Sequence, residues 1–330
     1  MTRLGAGRAW IGWMLMLAAS SAAHAGPAAG TSAISWLQRA QHAAQRLNYS
    51  GTVVYMPMGG QPQTSRITHV FENGNERERL EILDGAPLVI LRSNEEVKSY
   101  SPETKTVMVE RRSGRGGFPA LLTDPGAAIE EQYEVRKGDL ARVAGMDCQV
   151  LVLESRDRMR YGHRLCIEAQ SGLLLKAQMI NERGEVIEQI AFSQVEIGGS
   201  TERYASRLAR PKSGKEWRMS TPGVTPVRFA DIGWLIENPL PGFRKVLELK
   251  RGIGASEVGQ IVFSDGLASV SVFIEPIRGA TFSEGVSSQG AVNVIRRRVG
   301  DHLVTVLGEA PPACISRFAQ AIDFKPVVRQ

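Results

Sequence analysis

Apolar residues recur along this chain in two rhythms. Over residues 32–48 ("SAISWLQRAQHAAQRLN"), Ile34, Leu37, Ala40, Ala44 and Leu47 fall at helical spacing behind Ser32, a capping residue. That spacing predicts an amphipathic helix. From Tyr49 to Ile197 the rhythm changes to short β runs, chiefly residues 52–55, 80–83, 88–91, 107–110, 150–153, 161–168, 173–180 and 186–197. Turn signals separate them at Glu72-Asn73-Gly74, Asp84-Gly85, Gln170-Ser171-Gly172 and Arg183-Gly184. Strands joined by tight turns predict an antiparallel meander and not a βαβ fold.

One segment breaks the meander. Residues 113–133 ("SGRGGFPALLTDPGAAIEEQY") begin Gly-rich and basic, then turn apolar at Phe118, Leu121 and Leu122. Asp124-Pro125 is a helix start with proline at the first helical position, after which Ile129 and Tyr133 share a face. The segment reads either as an ordinary loop with a short helix or as a lid over a hydrophobic concavity.

Residues 207–226 ("RLARPKSGKEWRMSTPGVTP") have the composition of a domain linker. Beyond them, residues 242–250, 259–263, 268–276, 291–298 and 302–307 read as strands, and Pro311-Pro312 opens a helix to about Ile322. The expected fold is mainly β, with a large N-terminal sheet and a smaller C-terminal sheet-and-helix domain.

The first residues bear on compartment. Arg3 and Arg8 precede the apolar run "WIGWMLMLAA" (10–19), and Ala23-His24-Ala25 fits a cleavage site before Gly26. The run is too short for a transmembrane helix, which needs about 20 residues, so it reads as a removable secretory signal over residues 1–25. No Cys follows the cleavage site, which argues against a lipoprotein anchor, and the signal suggests a bacterial periplasm. Loss of Arg3 and Arg8 lowers the net charge from +6 to +4. This mild excess suits anionic headgroups or an acidic partner as well as an ordinary soluble surface, and falls short of a nucleic-acid binder.

Chemistry-bearing residues crowd into "YGHRLCIE" (161–168), but strand alternation disperses them. His163 and Cys166 point to opposite faces, and Glu168 shares a face with Cys166. His163 lies with Tyr161, Leu165 and Ile167 on the greasier face, the setting of an interior histidine. Cys166 has a partner in Cys148 if a register matching Leu153 to Tyr161 sets the two cysteines opposite each other, within disulfide reach. The alternative is two reduced thiols; with the bridge formed, Cys314 would be left free. No G-x-S-x-G, H-E-x-x-H, C-x-x-C or P-loop occurs, so neither a catalytic centre nor a cofactor or metal site is expected. Asp301-His302 in "VGDH" lies at a turn between strands, a poor place for a triad.

The whole chain after the leader resembles the MucB/RseB family of periplasmic regulators of the envelope-stress sigma factor (sigma-E/AlgU). The resemblance rests on "YSGTVVY" (49–55), "ERERLEILDG" (76–85), "RVAG" (142–145), "RYGHRLCIEAQSGLLLKAQM" (160–179) and "QGAVNVIRRRVGDHLVTVLGEAPP" (289–312). Cys166 departs from the large aromatic of many relatives. The resemblance implies a LolA/LolB-like unclosed antiparallel half-barrel with covering helices over residues 26–206, a linker at 207–226 and an anti-sigma-factor-binding domain over 227–330. It implies a non-enzymatic negative regulator that binds the periplasmic part of a membrane anti-sigma factor (RseA/MucA type), shields it from site-1 proteolysis and is displaced by lipopolysaccharide or mislocalised lipoprotein. A periplasmic lipid or lipoprotein carrier of LolA type is the alternative; a hydrolase has no motif in its favour, and a homo-oligomer stays open.

On this reading Phe118, Leu121, Leu122, Tyr161, His163 and Leu165 line or cover the lipid concavity. Partner binding falls on the surface around Gln289 to His302, with Asn293, Arg296, Arg297, Arg298, Asp301 and His302 as candidates. Alternation sends Arg297 away from its two neighbours, so at least one of the three arginines is exposed, as a site or as an ordinary solvated edge.

Overall fold

The structure is a computed structural model, and it describes residues 32–111, 118–121, 128–211, 217–253, 256–277 and 283–325. The leader, the Gly-rich stretch 113–117, Leu122 and Asp124-Pro125 lie outside those residues.

The first helix, α1 (Ala33–Arg46), starts where Ser32 Oγ accepts from the Ser35 N–H at 3.1 Å. It buries Leu37, Ala40, Ala43 and Ala44. Small alanines on that face let the helix axis approach the sheet closely. The strands of the sheet are β1 (Tyr49–Pro57), β2 (Gln63–Glu72), β3 (Asn75–Ile82), β4 (Val89–Ser93), β5 (Glu96–Ser101), β6 (Thr106–Arg111), β7 (Tyr133–Val143), β8 (Met146–Ser155), β9 (Gly162–Glu168), β10 (Leu174–Ile180), β11 (Val186–Ile197) and β12 (Arg218–Ser220). A short helix, α2 (Ala128–Gln132), precedes β7, and α3 (Thr201–Ala205) follows β11.

These strands run in the order β12-β6-β5-β4-β3-β2-β1-β11-β10-β9-β8-β7. All pair antiparallel except β12 with β6. The terminal strands do not pair with each other, so the sheet is unclosed, as expected of a LolA/LolB-like half-barrel. Gly51 is required where β1 crosses β11, because a Cβ there would sit 2.7 Å from the Phe192 ring.

The second sheet runs β13-β15-β16-β17-β20-β19-β18, from β13 (Val224–Pro226), β15 (Arg244–Ile253), β16 (Ser256–Ser264), β17 (Ser269–Pro276), β18 (Gly285–Gln289), β19 (Val292–Val299) and β20 (His302–Glu309). Its last helix, α4 (Pro312–Gln320), lays Cys314, Ile315, Phe318 and Ala319 on a core that includes Ile261, Phe263, Val270, Val272, Val304 and Val306. The short pair β14 (Trp234–Ile236) and β21 (Ile322–Phe324) flanks this core.

The stretch that reads as a linker has structure at both ends: β12 pairs with the first sheet and β13 with the second. Strands β2, β5 and β7, for which the apolar rhythm gives no signal, carry the sheet between and beyond the expected runs.

Cys148 and Cys166 are disulfide-bonded with Cα atoms 5.5 Å apart. The register differs from the one expected. Leu153 faces His163 rather than Tyr161, so Cys148 faces Glu168 and Cys166 faces Val150. The cysteines are therefore diagonal neighbours; a two-residue slip keeps both on one face.

Candidate functional site

Three places carry polar or accessible chemistry. The first is a cavity of about 280 Å3 between α1, the segment 118–121 and strands β1, β2, β3 and β11. Val53, Ile67, Leu80, Ile82 and Ile190 form its apolar wall, and Phe118 also lines it while packing on Phe192, ring centroids 5.1 Å apart. Tyr55 at the wall donates to Glu188 Oε2 at 3.0 Å. Burial and the neighbouring Glu309 raise the Glu188 pKa, against that hydrogen bond. Beneath the rim His69 stacks on Tyr49, with Nδ1 2.7 Å from the Leu47 carbonyl and Nε2 3.1 Å from Glu76 Oε1. A carbonyl only accepts, so the contact with Leu47 places a proton on Nδ1.

The second place is the junction of the two sheets, made by the β8–β9 turn. Arg160 lies there with its side chain fully excluded from solvent. Its Nε donates to Asp265 Oδ2, Nη1 to Asp157 and Nη2 to the Pro241 carbonyl, and its guanidinium stacks 4.6 Å from the centre of the Phe243 ring. Asp265 also accepts from Tyr133 Oη at 3.3 Å and from the N–H groups of Leu267 and Ala268 at 2.9 and 2.7 Å. Every charge in this buried node thus has partners, the condition under which such a pair is tolerated. Burial works to lower the Arg160 pKa, and Asp265 and Asp157 outweigh it, so the group stays cationic.

Apolar contacts cross the same junction in both directions. Met159 packs against the C-terminal core, and Leu267 packs against the N-terminal one. Asn293 donates to Tyr161 Oη at 3.1 Å and to the Ala310 carbonyl at 2.8 Å.

The third place is the face of β19. Arg296 and Arg298 are exposed. Arg297 turns inward, with Nε donating to the Ala319 carbonyl at 2.8 Å and Nη2 to that of Ile322, just beyond α4. Arg298 reaches the Gly300 carbonyl at 2.8 Å and Asp301 at 3.5 Å. His302 packs between Trp234 and Phe324, ring centroids 5.2 and 5.6 Å away, and burial lowers its pKa.

The structure therefore does not bring the six lipid candidates together. Phe118 lines the small cavity, while Leu121 and the buried Leu165 belong to the core under α1. Tyr161 and His163 lie at the junction, where burial lowers the His163 pKa to about 4 despite Asp265. Leu122 is outside the described residues. The partner candidates also divide: Arg296, Arg298 and Asp301 face solvent, whereas Asn293, Arg297 and His302 make internal contacts. Glu168 takes no part in any of the three places; its carboxylate accepts from the N–H groups of Gln170 and Ser171 and braces the turn after β9.

Sequence reasoning missed Arg160 and Asp265. The turn "ESRDRMR" carried a signal, three arginines among two acids, but its partner is 105 residues away.

Comparison with known proteins covers both sheets. The family model described as the MucB/RseB N-terminal domain matches residues 32–212, and that of the MucB/RseB C-terminal domain matches 228–323. The sigma factor AlgU regulatory protein MucB of Pseudomonas aeruginosa is 30% identical over 316 residues, 94% of this chain and 96% of that protein. The sigma-E factor regulatory protein RseB of Escherichia coli is 23% identical, over 92% of this chain and 93% of its own length. A crystal structure of MucB in complex with MucA(peri) superposes with a TM-score of 0.68 at 30% identity, covering 89% of this chain and 100% of that one.

Proposed function

The chain belongs to the MucB/RseB family, and from that premise we propose that it is a non-enzymatic periplasmic regulator of an envelope-stress sigma factor. It binds the periplasmic part of a membrane anti-sigma factor, shields that segment from site-1 proteolysis, and lets go when lipopolysaccharide or a mislocalised lipoprotein engages it. The observation that carries this reading is the likeness, through both domains, to a MucB structure solved with the periplasmic part of MucA.

The division of labour we propose assigns lipid sensing to residues 26–206 and partner binding to 227–330, with 207–226 between them. The apolar wall of the N-terminal cavity supports the first assignment, since each buried CH₂ of an acyl chain contributes about 0.8 kcal/mol. The exposed Arg296 and Arg298 support the second, as donors to a carboxylate-bearing peptide. A lipid carrier would use the cavity alone and would leave the second sheet without a task.

The test is a titration of the whole chain with the partner's periplasmic segment, with and without lipopolysaccharide, followed by exposure of the complex to the site-1 protease. Tight binding, protection of the segment and loss of both on adding lipopolysaccharide are expected. A chain that takes up lipid and ignores the segment is a carrier, and the regulator reading fails.

A further inference from the structure

The cavity under Phe118 is not the larger one. A groove of about 600 Å3 opens at the junction, between the ends of β8, β9 and β10 and the C-terminal residues Gly290, Pro311 and Pro312. Three exposed arginines border it, Arg158, Arg164 and Arg183, and none of their side chains makes a hydrogen bond or ion pair among the described residues. The acids on the same rim are Glu154, which Arg136 engages at 2.7 Å, and Glu182. Pro311 and Pro312, at the start of α4, also border the groove but carry no N–H to offer an anion, so its charge comes from the arginines.

A second feature comes from inside. His163 lines the groove at 7% exposure, and its ring makes no hydrogen bond among the described residues. Its packing partner is the Tyr133 ring, 6.2 Å away. The His163 nitrogens are not among the buried polar atoms left without a partner, so solvent in the groove reaches the ring.

We propose that this groove binds the anionic head of an amphiphile, a phosphate-bearing lipid headgroup, with the first part of its chain. Phosphate suits three guanidinium groups. The chain finds Met58, Ile180 and Ile187 on the apolar wall. The size falls within the usual range for small-ligand pockets, roughly 300–1,000 Å3. A peptide fits less well, because β8, β9 and β10 are each paired on both sides and offer no strand edge to an extended segment. The groove straddles the junction that Arg160 and Asp265 hold, so an occupant touches both domains at once. The proposal rests on the lipid-responsive regulator reading and assigns the head of the releasing ligand to a site apart from the Phe118 cavity.

The test uses the whole two-domain chain and no partner, so its failure leaves the anti-sigma-factor reading standing. Calorimetric titrations compare dodecyl phosphate below its micellar concentration, inorganic phosphate and uncharged dodecyl maltoside, in the parent and in R158Q/R164Q/R183Q. The three side chains are exposed and make no ion pair among the described residues, so the variant should fold as the parent does. Dodecyl phosphate should bind the parent well above inorganic phosphate and lose about tenfold or more in the variant, while dodecyl maltoside is unchanged. Equal binding of dodecyl phosphate to both proteins, or no binding to either, overturns the proposal. So does inorganic phosphate binding as tightly as dodecyl phosphate, which would make this a simple ion site.

Discussion

Arg160 in the β8–β9 turn and Asp265 between β16 and β17 form an ion pair across the junction of the two sheets, with both side chains fully excluded from solvent. Removing one partner of such a pair leaves the other charge buried and uncompensated. Asp265→Ala should therefore cost about 3–5 kcal/mol, measured by urea unfolding. A double variant, R160M/D265L, should cost less than the single one, because no charge is stranded. If the single variant unfolds like the parent, the junction is wetter than its geometry implies.

The disulfide crosses the same hairpin, β8 to β9, farther from the junction. Replacing both Cys148 and Cys166 with alanine should lower stability by about 2–4 kcal/mol. Cys314 is buried, and burial pushes its thiol up to about 12. A thiol reagent should thus label nothing in the native protein and one cysteine after unfolding without reductant. Peptide mapping that joins Cys314 to either partner would contradict this arrangement.

Local pattern carries local structure, and the failures follow from that. Helix α1 was legible because Ile34, Leu37, Ala40 and Ala44 repeat at helical spacing, and β9 to β11 because turn residues bracket apolar runs. Strand β7 was not legible. It forms one edge of the sheet, most of its residues face solvent, and a register shift between Lys137 and Leu140 interrupts it. The β8–β9 register was misjudged by two residues for a related reason. Tyr161, expected in the ladder, instead sits beside Met159 and Arg160 in the turn that docks on the second domain. That destination lies far along the chain, where spacing within the hairpin gives no information. The same limit hid Asp265 and scattered the described lipid candidates among the N-terminal cavity, the core under α1 and the junction.

Phe118 and Leu121 should separate binding from stability. Both pack against the core of Leu37 and Leu151, and of the two only Phe118 also lines the N-terminal cavity. Phe118→Asp and Leu121→Asp each place a carboxylate against that core and should both destabilise, while only Phe118→Asp should also abolish uptake of dodecyl maltoside. Unchanged uptake in a folded Phe118→Asp protein would show that this segment does not cover the binding cavity.

His163 gives stability a pH dependence of definite sign. Burial holds its pKa at about 4, below the ordinary 6.5. Above pH 6.5 both the folded and unfolded forms are neutral, so the group contributes no slope. As pH falls from 6.5 to about 4 the unfolded chain takes up the proton and the folded one does not, so stability falls, by about 3 kcal/mol in all. His163→Leu should flatten this part of the profile relative to the parent, which isolates the group from the carboxylates titrating nearby. Parallel profiles over pH 4–6.5 would mean that His163 protonates in the folded protein.

The three consecutive arginines of β19 make the sharpest test of the partner surface, because alternation assigns them different work. Arg297 points inward, and its guanidinium satisfies carbonyls of Ala319 and Ile322 at the end of α4. Arg297→Ala removes a charged donor from two hydrogen bonds and should cost about 1.5–3 kcal/mol of stability. Arg296 and Arg298 face solvent, and Arg298 bonds the nearby Gly300 carbonyl at 2.8 Å and the well-exposed Asp301 at 3.5 Å. Replacing either with alanine should change stability by less than about 0.5 kcal/mol. If an acidic partner segment docks on this face, R296A/R298A should weaken its binding and flatten the dependence of that binding on salt, since the lost attraction is between exposed charges. Arg297→Ala, assayed at a temperature where it is folded, should bind the segment much as the parent does. The opposite result, full binding in R296A/R298A and loss in folded Arg297→Ala, would place the contact at the α4 side of the sheet instead.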